Sequence, residues 1–147
     1  MKLADLAQHL GADLHGDPAA EITGVAAIDT AAPGDLTFVA NSKYASLARA
    51  TRARIQAAEG AAVRDTDGRT YAAATVALPS LQLSAVQACV AMAVASGSSG
   101  VDACVVLGES GIVSEDDAAV LGDFAGANGA MVHVGDARGT ISGTMTF

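Results

Sequence analysis

A chain of 147 residues is long enough to bury one real core and too short for two domains of ordinary size. Half of it is apolar, but with three Phe, two Tyr and no Trp that core has to be built from Ala and Val. The formal charge of −8 is unevenly spread, with seven of the eight Lys and Arg in residues 1–69 and only Arg138, against seven acids, in residues 70–147, which argues against nucleic acid as a partner.

In chain order, Leu3, Leu6, Ala7 and Leu10 recur at helical spacing ahead of Gly11, so residues 2–10 are expected to form a short amphipathic helix. Extended pieces are expected at Asp13–His15 and Glu21–Ala26, separated by the turn cluster Gly16-Asp17-Pro18. Pro33-Gly34-Asp35 reads as a further turn that launches a strand over Leu36–Ala40. Asn41-Ser42 then caps a helix from Lys43 to about Gln56. Two strands follow, Ala61–Arg64 and Thr70–Val76, joined at Asp65-Thr66-Asp67-Gly68, where Gly supplies a positive φ. Pro79 ends that extended run. Ser84–Ala95 predicts a helix apolar almost all round, and Ala103–Leu107 predicts a strand covered on both faces. Beyond Gly108 the chain is punctuated by Gly and Asp, with short apolar pieces at Val120–Leu121 and Met131–Val134.

No apolar run reaches the roughly 18 residues of a membrane span, and no cleavable leader is recognisable, so a cytoplasmic, reducing location is expected. Cys89 and Cys104 lie in apolar runs without the paired spacing of a metal site, and they read as buried free thiols. His9, His15 and His133 are scattered and read as surface or strand residues rather than general bases. The Gly-rich stretches Gly108–Gly111 and Gly122–Gly129 lack the Gly-Lys-Ser/Thr ending of a phosphate loop. The acidic run Glu115-Asp116-Asp117 reads as a solvated loop or a helix N-terminus. Nothing in the chain calls for a cofactor.

Phe38, Asn41 and Tyr44 stand at spacing three and three across the expected strand-to-helix junction. Two aromatic rings on either side of a short amide can sandwich a flat base while the amide reads its edge. Stacking of this kind contributes about 1–3 kcal/mol per base. The competing reading makes Phe38 a core strand residue and Tyr44 a half-buried helix residue. The surrounding sequence, Ile22-Thr23-Gly24-Val25-Ala26-Ala27-Ile28 and Pro33-Gly34-Asp35-Leu36-Thr37-Phe38-Val39-Ala40-Asn41-Ser42-Lys43-Tyr44, resembles the N-terminal domain of the UDP-3-O-acylglucosamine N-acyltransferases of lipid A synthesis. That resemblance covers about a third of the chain, and it implies that Phe38, Asn41 and Tyr44 hold a uracil ring. Lys43, Arg49, Arg52 and Arg54 crowd the helix just after them, and the first three are the candidate phosphate ligands of a bound uridine nucleotide or UDP-sugar. A solvated helix face is the plainer account of the same charges.

Glu59–Asp65, Asp67–Val76 and Ser80–Gly97 carry a second resemblance, to a cytidine deaminase-like family in which two strands lead into the catalytic helix. That chemistry needs a His or Cys zinc ligand, a Glu two residues later and a downstream Pro-Cys-x-x-Cys. Val86 and Ala88 occupy the first two positions here, and Ser114–Asp117 does not supply the second motif. No zinc, and no zinc-dependent deamination, is therefore expected of this segment.

A competing account extends the acyltransferase likeness over Val76 to Met92 and compares Val106-Leu107-Gly108, Val120-Leu121-Gly122-Asp123 and Val134-Gly135-Asp136 with hexapeptide repeats of a left-handed β-helix. The spacing fits that repeat poorly, and a solenoid needs about three good repeats.

Together these observations predict an α/β protein with a small mixed sheet and few helices. A uridine-nucleotide-binding segment is expected at 1–57 and a deaminase-like segment without its catalytic motif at 58–147, with a β-rich tail. The acyltransferase resemblance implies a UDP-sugar-binding module of lipid A biosynthesis that lacks the His-bearing β-helix in which that family's trimers run acyl transfer. The alternative is a non-catalytic deaminase-like protein whose helix Ser84–Ala95 serves packing or self-association, and homo-oligomerisation stays open. A fusion of two families meeting near residues 53–59 would leave the same pattern.

Overall fold

The computed structural model describes residues 1–11, 14, 17–25, 32–36 and 41–147, with the side chains of Val25, Asn41 and Ser42 outside that description. The chain divides into two units, Met1–Ala40 and Asn41–Phe147.

In the first unit, helix α1 (Leu3–Leu10) ends at Gly11, whose φ of 63° lets its N–H turn back onto the carbonyls of Ala7 and Gln8. Strand β1 (Gly24–Val25) pairs in parallel with β2 (Asp35–Leu36). The expected turn ahead of β2 is present: the Asp35 N–H donates to the Ala32 carbonyl at 2.9 Å, with Pro33 and then Gly34 between them and Gly34 at φ 96°. The expected strand Leu36–Ala40, with Phe38, lies outside the described residues beyond Leu36. So do Asp13, His15 and Ala26 of the other two extended pieces.

In the second unit, helix α2 (Asn41–Ile55) starts two residues before the expected Lys43. It is followed by β3 (Glu59–Asp65), β4 (Thr70–Ala74), the hairpin β5 (Val76–Leu78) and β6 (Leu81–Leu83), α3 (Ala85–Ala95), β7 (Val101–Gly108), α4 (Glu115–Asp123), β8 (Met131–Gly135) and β9 (Ile141–Thr146). Five strands make one mixed sheet in the order β4-β3-β7-β8-β9. Its single parallel pair, β7 with β8, is the pair joined by a helical crossover, as parallel neighbours require.

Strand alternation sorts the core into two layers. Ala61 and Val63 of β3, Cys104 and Val106 of β7, and Val132 and Val134 of β8 share one cluster with α3 and with Leu121 of α4. Ala62, Val105 and Leu107 instead cluster with Ala45 and Ala48 of α2. Small side chains permit a close approach here. At Gly60 any Cβ would strike the Ala48 carbonyl and lie 2.7 Å from the Arg52 Cβ, so α2 rests directly on the strand backbone. Cys89 and Cys104 are free and buried in the α3 layer, as expected.

One reading changes. Residues 131–146 run as β8 and β9 in the open sheet, which overturns the β-helix alternative for the tail. Pro79 ends the extended run after Leu78 as expected, and Pro79-Ser80 is the two-residue turn of the β5–β6 hairpin. The short apolar piece Val120–Leu121 lies in α4, with Leu121 buried, and Glu115-Asp116-Asp117 form the first turn of that helix. The expected boundary near residue 57 falls between the end of α2 and the start of β3. Among the described residues no helix is long and apolar enough to cross a membrane.

Candidate functional site

Glu59 opens β3 directly opposite Gly108 at the end of β7, and the starts of α3 and α4 converge on the same edge of the sheet. They enclose a cleft of about 610 Å³. Ser84 is the N-cap of α3: its Oγ accepts the Gln87 N–H at 3.0 Å, and the Gln87 side chain accepts the Ser84 N–H at 3.1 Å. Ser114 caps α4 by accepting the Asp117 N–H at 3.1 Å. The Asp117 carboxylate does not return to its own cap. It accepts the hydroxyl proton of Ser84, which ties the two helix starts together across 33 residues.

Asp117 is buried, at 3% exposure, and the positive ends of two helices surround it. Burial pushes the Glu59 carboxyl above its ordinary value, the charge of Asp117 adds to this, and the Ser110 side chain opposes it. Glu59, Glu109, Asp116 and Asp117 line the cleft together with Ser84, Ser110, Ser114 and Gln87, and no Lys, Arg or His is among its described lining residues. Such a surface offers hydrogen bonds to neutral or cationic groups and repels phosphate. Two Ser-x-x-Gln/Asp starts, at 84–87 and 114–117, were the sequence signals for the helix ends. Nothing in the sequence joined them to each other or to Glu59.

The two positions that match the deaminase ligand and proton shuttle, Val86 and Ala88, belong to the buried core, at 0% and 8% exposure. Cys89 and Cys104 are buried there too. Burial pushes the Cys89 thiol up to about 12 and the Cys104 thiol well above its usual range. Among the described residues no three His, Cys, Asp or Glu side chains converge to hold a metal. The residues of the cleft therefore do not fit the zinc of a deaminase.

The other sequence-derived candidates lie on or before α2. Phe38 is outside the described residues, and Asn41 is the first residue of α2. Tyr44 is half-buried against the Ala45, Ala48, Ala62 cluster. Lys43 and Arg49 are exposed. Arg52 donates from Nε to the Ala58 carbonyl at 3.1 Å and stands 3.9 Å from Glu109, so it is already engaged in closing the end of its helix. His133 is buried on β8 and shares a 2.8 Å hydrogen bond with Thr144.

Comparison with known proteins separates the chain into the same two likenesses. The profile of the cytidine deaminase-like family matches residues 39–139, and that of UDP-3-O-(3-hydroxymyristoyl) glucosamine N-acyltransferase matches residues 19–56. Among curated proteins, UDP-3-O-acylglucosamine N-acyltransferase 3 of Gloeobacter violaceus is 49% identical over 53 residues, which are 36% of this chain and 15% of that protein. The Pseudomonas syringae UDP-3-O-acylglucosamine N-acyltransferase is 41% identical over 83 residues, 56% of this chain and 22% of that one. The chain thus spans about a fifth or less of the length of these relatives. Among solved structures, the cytidine deaminase of Burkholderia pseudomallei superposes with a TM-score of 0.63 at 19% identity, covering 74% of this chain and 93% of that one. The Mycobacterium leprae enzyme gives 0.59 at 20% identity, covering 74% and 94%. At these identities the likeness establishes the fold.

Proposed function

The chain belongs to the cytidine deaminase-like family, and from that premise we propose that it is a uridine-nucleotide-binding protein that performs no zinc-dependent deamination. The observation that carries the second half of this reading is the burial of Val86 and Ala88 in the core, beneath a cleft of carboxylates and hydroxyls. Among the described lining residues there is no imidazole or thiolate, the ligands with which a zinc deaminase holds its metal and activates water. Support for the first half comes from residues 19–56, which resemble enzymes named for a UDP-linked glucosamine. Phe38, Asn41 and Tyr44 lie within that stretch, with Lys43 and Arg49 nearby. The reading assigns binding to this chain and does not extend to acyl transfer.

Calorimetric titration tests it. UDP is expected to bind more tightly than ADP, Tyr44→Ala to weaken UDP by roughly five- to 150-fold through loss of a stacking face, and Asn41→Leu to remove the preference for uracil. Binding of UDP no tighter than ADP would sink the nucleotide reading. Stoichiometric zinc in chelator-washed protein, together with cytidine deamination, would sink the other half.

One observation favours the alternative of a deaminase-like protein devoted to packing or self-association. Tyr44 packs on the α2 core cluster, so part of its ring is already used. On that account Tyr44→Ala lowers stability and leaves UDP titrations unchanged.

A further inference from the structure

Arg138 is the only Lys or Arg in residues 70–147, among seven acids, and it does not stand alone in space. The β8–β9 connection brings it to the flank of α2. There Arg49 Nη1 donates to the Arg138 carbonyl at 3.4 Å, and Ala45, Ser46, Arg49, Arg138 and Gly139 line a small cleft of about 180 Å³. We propose that Arg49, Arg138 and Ser46 form an oxyanion site for the phosphoryl group of a bound nucleotide.

The turn that presents Arg138 is built independently of its charge. Asp136 Oδ1 accepts the backbone N–H groups of Arg138 at 2.9 Å and Thr140 at 3.0 Å, and Gly139 takes φ 100°, open to glycine and strained for other residues. Asp136 Oδ2 receives Arg138 Nε and Nη2 at 3.3 Å each, which orients the guanidinium and leaves its remaining N–H groups for a ligand. A guanidinium carries five donors in a planar fork that matches phosphate oxygens, and the lining of this cleft brings Arg49 and Arg138 together with Ser46. Arg52, tied to Ala58 and Glu109, and Lys43 are not among the lining residues.

The acidic cleft at the starts of α3 and α4 repels a phosphoryl group. The class of ligand rests on the uridine-nucleotide reading; the geometry of the cleft does not.

Calorimetry with inorganic pyrophosphate, UDP, ADP and uridine distinguishes the two. Wild-type protein is expected to bind pyrophosphate and UDP with affinities that fall as salt rises. Arg138→Gln and Arg49→Gln should each weaken both ligands about tenfold while uridine binding stays constant. Arg138→Lys should recover part of the loss, and Arg54→Gln, an exposed α2 residue outside the cleft, should change nothing. Circular dichroism of each variant checks that α2 and the sheet persist. If wild type binds no pyrophosphate, or if folded Arg138→Gln and Arg49→Gln bind pyrophosphate and UDP within twofold of wild type, the oxyanion site is wrong. Pyrophosphate binding that depends on Arg138, with no preference for UDP over ADP, upholds the site and removes the uracil reading instead.

Discussion

Asp65 is fully buried at the end of β3, and its carboxylate organises the turn to β4. It accepts the N–H groups of Asp67 at 3.0 Å and Arg69 at 2.7 Å, the Tyr71 hydroxyl at 3.3 Å and the Ser98 hydroxyl. Burial works to raise this carboxyl, but the Ser98 and backbone donors, with the charge of Arg69, outweigh it and hold the group below the ordinary carboxylate range. A carboxyl held low in the folded state contributes stability that is present above its unfolded pKa of about 3.9 and lost as pH falls through the lower folded value. Asp65→Asn is therefore expected to cost about 2–4 kcal/mol at pH 7, with the gap to wild type closing as pH falls below the ordinary carboxylate range, as urea denaturation over an acid pH series would show. The thiols offer a second check at this scale. With Cys89 and Cys104 enclosed and their pKa values raised by burial, native protein should label slowly with a thiol reagent, and denatured protein should release two equivalents. Fast labelling of both in the native state would contradict the packing of α3 on the sheet.

Among the elements, α3 and α4 are coupled through one hydroxyl. Ser84 accepts from the backbone of its own helix and donates to Asp117 of the other, so removing it uncaps α3 and strips a buried carboxylate of its donor. Ser84→Ala is expected to cost about 1–3 kcal/mol. Ser84→Asp separates the two effects, because Asp caps helices well but here would face the Asp117 carboxylate. It should therefore be at least as destabilising as Ala in thermal denaturation. A mutant with Asp that matches wild type would show that capping alone matters and that the link between the helices does not.

The five-stranded sheet and every buried residue of both core clusters come from residues 45–147. The second unit thus has its own core, and a fragment of residues 41–147 is expected to fold in one cooperative transition with the far-ultraviolet signature of a mixed α/β protein. A fragment that stays unfolded would show that residues 1–40 supply part of that stability. The same unit carries an acidic cleft at one edge of its sheet and an arginine-lined cleft beside α2, so its net charge says less about its ligands than the placement of a few side chains does.

Local chemistry determined much of this protein from sequence. Gly11 and Gly68 stand where a positive φ is needed, Ser84 starts a buried helix, and 103–107 lies within a strand covered on both faces. The positions that the deaminase likeness implies for a zinc ligand and for the proton shuttle are likewise visible in the sequence, as Val86 and Ala88. Each of these depends on neighbours within a turn or two, where propensity and periodicity act. Tertiary structure decided what depends on partners far along the chain. The Gly- and Asp-punctuated tail could stack on itself or join a sheet, and only the pairing of Met131–Gly135 with Ala103–Leu107 placed it in the sheet. In the same way, Asp117 met Ser84, and Arg138 met Arg49 across 89 residues. No local pattern records such meetings, because the free energy that fixes them comes from burying apolar strands of the whole sheet, and the polar side chains are carried into contact by that packing.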